Sequence, residues 1–322
     1  MRSSNPVGLD TTVPSAVESP QAKLVYLALA AAGPATTGDL AAMLDETRLA
    51  LLPVVGTLEN GGWSYASRTA TRRSESSGQH VEATRRRRAG VSVTLDFDGQ
   101  AAVVTGAAGA LGGAVAAAFV AAGADVVGVD VVDPGEAEVP DPVDYRQADL
   151  TDEQTVAALF DGVADDYGRL DALANVAGTW RGGDPVHETA ESQFDLLFDV
   201  NLRTAFLASK HALPRLRETE GAVVSVAARS ALSGGAGDAL YRASKAGVKI
   251  LTESIAEENR GVVRANCVLP SVIDTPMNRE MMSDADFGEW VDPTDIATVI
   301  AFLCSDGAVP TSGAAVPVYG EA

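Results

Sequence analysis

Cysteine and lysine are scarce in this 322-residue chain. The two cysteines, Cys267 and Cys304, are too few for a disulfide framework and stand at no metal-ligand spacing. Both read as small buried apolar residues, and no metal site is expected. The lysines are Lys23, Lys210, Lys245 and Lys249 alone, so nearly every cation is an arginine. No uninterrupted apolar run reaches the length of a membrane span. The opening MRSSNPVGLDTTVPSAVESP lacks the apolar core of a secretory signal, so a cytoplasmic location is expected. Positive charge is short as a whole: the formal net charge is -20, which disfavours nucleic acid as the main partner of the whole surface. An acidic, lysine-poor surface suits a very salty cytoplasm, where screening weakens self-repulsion, and it points to a halophilic origin. What remains is ordinary for a globular protein, with 46% hydrophobic and 21% charged residues.

The charge is uneven. Residues 1–90 carry ten basic and eight acidic side chains, the remainder fourteen and thirty-six, which sets a boundary near residue 90. Residues 1–19 read as a disordered tail. Residues 20–63 read as three short helices, the first closed by Gly33-Pro34, the second opened by Thr37, the third interrupted by Pro53 and ended by Gly61-Gly62. This small all-α unit resembles a winged helix-turn-helix of archaeal type, which implies a DNA-reading module. Against DNA binding, its would-be recognition helix offers only Arg48 as a cation. Residues 64–90 hold seven arginines, two glutamates and almost no aliphatic side chain, so they are expected to be disordered. They read as a phosphate-gripping arm, a solvated linker, or the product of a frameshift that joins an upstream gene to a separate one.

Residues 91–322 form the main domain. Gln100–Gly106 is a β-branched run entering a glycine-rich turn; LGGAVAAAFVAAG reads as a helix and ADVVGVD as the next strand. That unit predicts an α/β fold with a Rossmann-type doubly wound parallel sheet. In Thr105-Gly-Ala-Ala-Gly-Ala-Leu-Gly112, Gly106 permits a tight turn, while Gly109 and Gly112 let backbone amides of a helix N-terminus approach a pyrophosphate. Asp130 at the tip of the second strand can accept both adenosine ribose hydroxyls and repels a 2′-phosphate, and no cation stands beside it. NAD(H) is therefore expected over NADP(H).

Taken with ADLTD at 148–152, NVAG at 175–178, Asn201, YRASK at 241–245 and PSVIDTP at 270–276, the turn and Asp130 resemble the short-chain dehydrogenase/reductase family, in its order and spacings, over residues 94–322. Ala110 takes the place of the family's central glycine and Val176 that of its second asparagine. The resemblance implies that Thr105, Gly106, Gly109, Ala110, Leu111 and Gly112 form the cofactor turn and that Asp149 and Leu150 flank the adenine. It also implies that Asn175, Ala177 and Gly178 line the cofactor cleft, and that Pro270, Ile273 and Thr275 belong to the nicotinamide loop. Thr151–Gln154 reads in addition as a capping box for the next helix.

Hydride transfer to a carbonyl needs a proton donor. Tyr241 is the candidate, and Lys245, one helical turn later on the same face, is expected to lower its pKa from about 10 toward neutrality and to hold the nicotinamide ribose. Asn201 matches the family position that anchors a water between the lysine and solvent. Thirteen residues before Tyr241 the family keeps a substrate-binding serine; here Ala228 stands instead. Ser230 can replace it if the loop bends inward, and Ser225, on the preceding strand, is a weaker substitute. Dihydropteridine reductases of the same family also lack that serine and carry a V-A-G-x-W-x-G-G segment like Val176–Gly183, which makes Trp180 a candidate platform for a flat heterocycle. Met277, Met281, Met282 and Trp290 belong to an expected mobile lid over the substrate.

Three readings stay open: an NAD-dependent oxidoreductase of a small alcohol or ketone, a serine-independent pterin reductase, and an NAD-sensing regulator that binds DNA through residues 20–63. The resemblance further implies a homodimer or homotetramer.

Overall fold

Seven parallel strands in the order β3-β2-β1-β4-β5-β6-β7 make the centre of the computed structural model, which describes residues 95–320. The tail, the helix-turn-helix-like unit and the basic linker expected over residues 1–90 lie outside the described residues. The strands are β1 Ala101–Thr105, β2 Asp125–Asp130, β3 Asp144–Gln147, β4 Ala172–Asn175, β5 Ala222–Val226, β6 Arg264–Pro270 and β7 Ala315–Val318. The helices between them are α1 Ala110–Ala121, α2 Glu153–Tyr167, α3 Glu191–Phe198, α4 Thr204–Thr219, α5 Ala239–Glu258, α6 Pro276–Met281 and α7 Pro293–Cys304.

Strand side chains alternate between two apolar layers, as the two-residue repeat requires. Ala102 and Val104 of β1, Ala174 of β4 and Val224 of β5 face a layer with Val115 and Phe119 of α1 and Ile296 and Ile300 of α7. Val103, Leu173 and Val223 face the opposite layer, with Val156 and Phe160 of α2, Leu207 and Leu216 of α4, and Ile255 of α5. Both faces are covered, which is why these strands read as continuous apolar runs. Phe97 closes one end of the first layer, edge-on to Phe119 at 5.1 Å.

The chain departs from β1 in opposite directions: β2 and β3 lie on one side of it, β4 to β7 on the other. In an open parallel sheet this switch point leaves a crevice beyond the carboxyl ends of the strands, and ligands bind there. One local expectation is corrected. The cap of α2 is Asp152, whose carboxylate accepts from Thr155 N at 2.8 Å; Thr151 instead donates its hydroxyl to Asp149 at 2.7 Å.

Candidate active site

The cleft at the switch point measures about 1630 Å³ and runs from the glycine turn to helix α6. Its glycine-turn end is built on Thr105. This buried side chain accepts from the amides of Val176 and Ala177 at 3.0 and 3.1 Å, tying the end of β1 to the chain leaving β4. Thr105 therefore stands behind the cleft and shapes it. Gly106 has φ +72°, and a Cβ there would lie 2.8 Å from the Ala177 backbone. At Gly112 a Cβ would come within 1.9 Å of the Gly106 carbonyl oxygen, so the first turn of α1 lies directly on the glycine turn. No side chain caps α1 at Gly109, and its first-turn residues Ala110, Leu111 and Gly112 line the cleft.

Asp130 lines the same end. Its carboxylate accepts from Ala108 N at 3.1 Å and from Val131 N at 2.7 Å, which turns it toward the glycine loop. Asp149 and the buried Leu150 border the cleft nearby, Asp149 held by the amide and hydroxyl of Thr151. Ala110, Leu111, Ala177 and Gly178 complete the lining. Asn175 does not. Its amide points into the sheet's other layer, donating to Ser209 at 3.0 Å and Ser225 at 3.3 Å, while its buried Oδ1 has no protein partner. The expectation that Asn175 lines the cleft is corrected to an internal role, and Ser225 is engaged there as well.

At the chemical end, Tyr241 and Lys245 rise from α5 into the cleft. Lys245 is 4% exposed and its ammonium donates to the Val226 carbonyl at 2.8 Å. Gly178 makes room for it: a Cβ at that position would lie 2.9 Å from Lys245 Nζ and 3.0 Å from Asn201 Oδ1. Asn201 sits in a π-helical turn, Asp199–Arg203, of the kind that recurs at functional sites. Its side chain accepts from Thr179 N at 2.7 Å and donates to Thr179 O and to Ser244 Oγ, both at 3.0 Å. Ser244 in turn donates to the Tyr241 carbonyl at 2.9 Å. This buried chain fixes the loop after β4 against the helix that carries the tyrosine and lysine. The Asn201 side chain is thereby committed behind the cleft.

Protonation in this site departs from the sequence expectation. Burial brings Lys245 down to about 8, whereas burial and the nearby Asp238 carboxylate push Tyr241 up to about 12. Lys245, turned to Val226, does not offset them, so the phenol is not drawn toward neutrality in this structure.

The missing serine leaves a gap of one hydroxyl. Ala228 is buried at the cleft wall just before the short 3-10 turn Arg229–Leu232. Ser230 lies in that turn, lines the cleft, and carries a buried hydroxyl without a protein partner. Trp180, Met277, Met281 and Met282 line this end with largely exposed apolar surface, Met277 at 62%. Pro270, Ile273 and Thr275 also line the cleft, and Thr275 caps α6 by accepting from Asn278 N at 3.2 Å. Trp290 does not line the cleft; it packs on Phe287 with ring centres 4.8 Å apart. Among the lining residues that the sequence analysis did not single out are Asp238 and Arg242. Their i,i+4 spacing around Tyr241 is the signal that was available.

A family model described as enoyl-(acyl carrier protein) reductase matches residues 106–320, which takes in the glycine turn and every chemical-end residue named above. The chain belongs to the short-chain dehydrogenase/reductase family. It is 35% identical over 242 residues to meso-2,3-butanediol dehydrogenase of Serratia marcescens, covering 71% of this chain and 96% of that protein. To 3-oxoacyl-[acyl-carrier-protein] reductase of Thermotoga maritima it is 31% identical, covering 70% and 98%. The solved structure of Thermoplasma acidophilum aldohexose dehydrogenase superposes with a TM-score of 0.65 at 28% identity, covering 71% of this chain and 95% of that one. The chain is thus an oxidoreductase of this family, and among its described residues no helix is long and apolar enough to cross a membrane.

Proposed function

We propose that this oxidoreductase uses NAD(H) in preference to NADP(H) and acts on a small alcohol or ketone, with Tyr241 as its acid and base. The observation that carries the reading is that one cleft joins the glycine turn and Asp130 to Tyr241 and Lys245. The residues fit the cofactor. Gly106 and Gly112 admit no side chain, the uncapped N-terminus of α1 suits a pyrophosphate, and the Asp130 carboxylate suits ribose hydroxyls while opposing a 2′-phosphate. Ala110, Leu111, Asp149, Leu150, Ala177 and Gly178 would flank the bound nucleotide, with Pro270, Ile273 and Thr275 near its nicotinamide. When bound, the nicotinamide supplies or accepts the hydride.

The chain's own groups handle the proton. In reduction, Tyr241 donates from its hydroxyl to the carbonyl oxygen. In oxidation it must first lose that proton, so the rate in that direction rises with pH. The Lys245 ammonium stabilises the phenolate, which proton donation leaves in reduction and which accepts the alcohol's proton in oxidation, and Asn201 and Ser244 keep both residues in register. Ser230 takes the place of the absent serine as donor to the substrate oxygen, its hydroxyl being buried at the cleft and unpartnered.

A second reading, reduction of a pterin, is favoured by Ala228 at the serine position and Trp180 in the lining. It predicts turnover of a quinonoid dihydropterin that survives Ser230→Ala. We also read the acidic, lysine-poor composition as adaptation to high salt, and the exposed Phe194, Leu196, Phe206 and Ile250 as a face for self-association. NADH and NADPH oxidation across ketones, hydroxyketones and dihydropterin, in dilute buffer and in concentrated potassium chloride, tests these readings together. Faster turnover with NADPH would overturn the cofactor assignment.

A further inference from the structure

Arg242 follows the tyrosine directly in YRASK, yet its guanidinium reaches back over the loop that precedes the helix. Its Nε donates to Asp238 Oδ1 at 2.6 Å, and its Nη1 donates to the carbonyls of Ser233 at 3.2 Å and Ser230 at 3.4 Å. The loop lies flat on it at Gly235, where a Cβ would stand 2.3 Å from the guanidinium carbon. Four points of the 230–238 segment thus meet one side chain of α5.

The middle of this segment is mostly glycine. Between the 3-10 turn and α5 runs Ser233-Gly-Gly-Ala-Gly237, a glycine-rich stretch that loses much conformational freedom on ordering. Among the described residues it is also tied by Ala231 N, which donates to Ala228 O at 3.0 Å, and by Gly183 N, which donates to Gly237 O at 2.7 Å, and its 3-10 turn packs against α5 and β6. The segment starts at Ser230, whose hydroxyl is buried at the cleft without a partner. An unpartnered buried hydroxyl is costly, so the chain must be held for it to stay there.

We propose that Arg242 is a positioning residue: its guanidinium clips the 230–238 loop to helix α5 and so holds the Ser230 hydroxyl at the substrate end of the cleft. A planar fork with several donors in fixed directions meets a carboxylate and two carbonyls at once; an ammonium on the same stem reaches fewer of them. Asp238 contributes the anionic half of the clip, accepting from Arg242 Nε with its side chain 17% exposed. The kinetic part of this proposal rests on the reductase reading; the structural part does not.

The test compares the full-length wild type with Arg242→Lys, Arg242→Met, Ser230→Ala and the double variant Arg242→Met/Ser230→Ala. Hydrogen exchange followed by mass spectrometry reads the loop directly. Amides of 231–237 are expected to exchange at least about tenfold faster in Arg242→Met, less so in Arg242→Lys, with the central strands and the NADH affinity unchanged. In steady-state reduction, Arg242→Met should lower kcat/KM about as far as Ser230→Ala does, and the double variant should be no worse than either single change, because both remove the same interaction. Wild-type exchange in the loop of Arg242→Met overturns the proposal whatever the enzyme turns over. Losses that multiply in the double variant overturn it too, since Arg242 would then act independently of Ser230. Absence of turnover in the wild type counts against the reductase reading, and the exchange measurement then decides the clip by itself.

Discussion

Lys245 and Gly178 are packed so closely that the ammonium nitrogen occupies space a Cβ at residue 178 would need, 2.9 Å away. The glycine is therefore part of the lysine's binding pocket. Gly178→Ala is expected to push Lys245 off the Val226 carbonyl and to disturb Asn201. Turnover should fall by roughly tenfold to a hundredfold, the range that misplacement of a reacting group costs. Steady-state rates beside the NADH dissociation constant check this; unchanged kcat would contradict it.

The same lysine carries a stability cost. Burial lowers it from the usual 10.5 to about 8, so the unfolded chain binds more protons between those values and stability rises with pH across that interval. Below about pH 8 the full cost is present. Lys245→Met should therefore be inactive yet more stable than wild type at pH 7, by ~1–3 kcal/mol after loss of the bond to Val226. The gain should shrink as pH rises from 8 to 10.5. Urea denaturation at a series of pH values reads it directly, and a gain that grows with pH would refute the assignment.

Asp130 accepts from two amides and offers its charge to the glycine-turn end of the cleft. Asp130→Asn keeps an acceptor oxygen and removes the charge. The ratio of kcat/KM for NADH over NADPH should drop at least about tenfold, mostly through better use of NADPH, because the repulsion of a 2′-phosphate is gone. Kinetics with both cofactors supply the test. An unaltered ratio would show that discrimination lies elsewhere.

Ala228 and Ser230 bear on the substrate. If Ser230 supplies the substrate hydrogen bond, Ser230→Ala should lower kcat by about a hundredfold, a loss comparable to removing one transition-state donor. Ala228→Ser in that background should recover part of it. Full activity in Ser230→Ala toward a dihydropterin, with none toward ketones, would favour the pterin reading.

Much of the site was legible in the sequence because its requirements are local. The turn from Thr105 to Gly112, the strand-end Asp130 and the Tyr241–Lys245 spacing each depend on neighbours in the chain, and the structure brings them to one cleft. What sequence could not give depends on which way a side chain turns at the end of a strand. Asn175 and Gly178 are three residues apart, yet one faces the internal layer and the other the lysine. Likewise Thr151 and Asp152 both suit a cap, and only the backbone geometry selects Asp152. The nearness of Lys245 in sequence likewise says nothing of the desolvation that, with Asp238, raises Tyr241.

The most direct measurement of the central claim is a paired experiment on wild type and Tyr241→Phe: NADH binding followed by fluorescence, and NADH oxidation over the carbonyl panel in concentrated potassium chloride. The account predicts equal NADH affinity and a loss of turnover of at least about a hundredfold in the variant, as expected for removal of a general acid. Retained turnover in Tyr241→Phe, with cofactor bound, would contradict it.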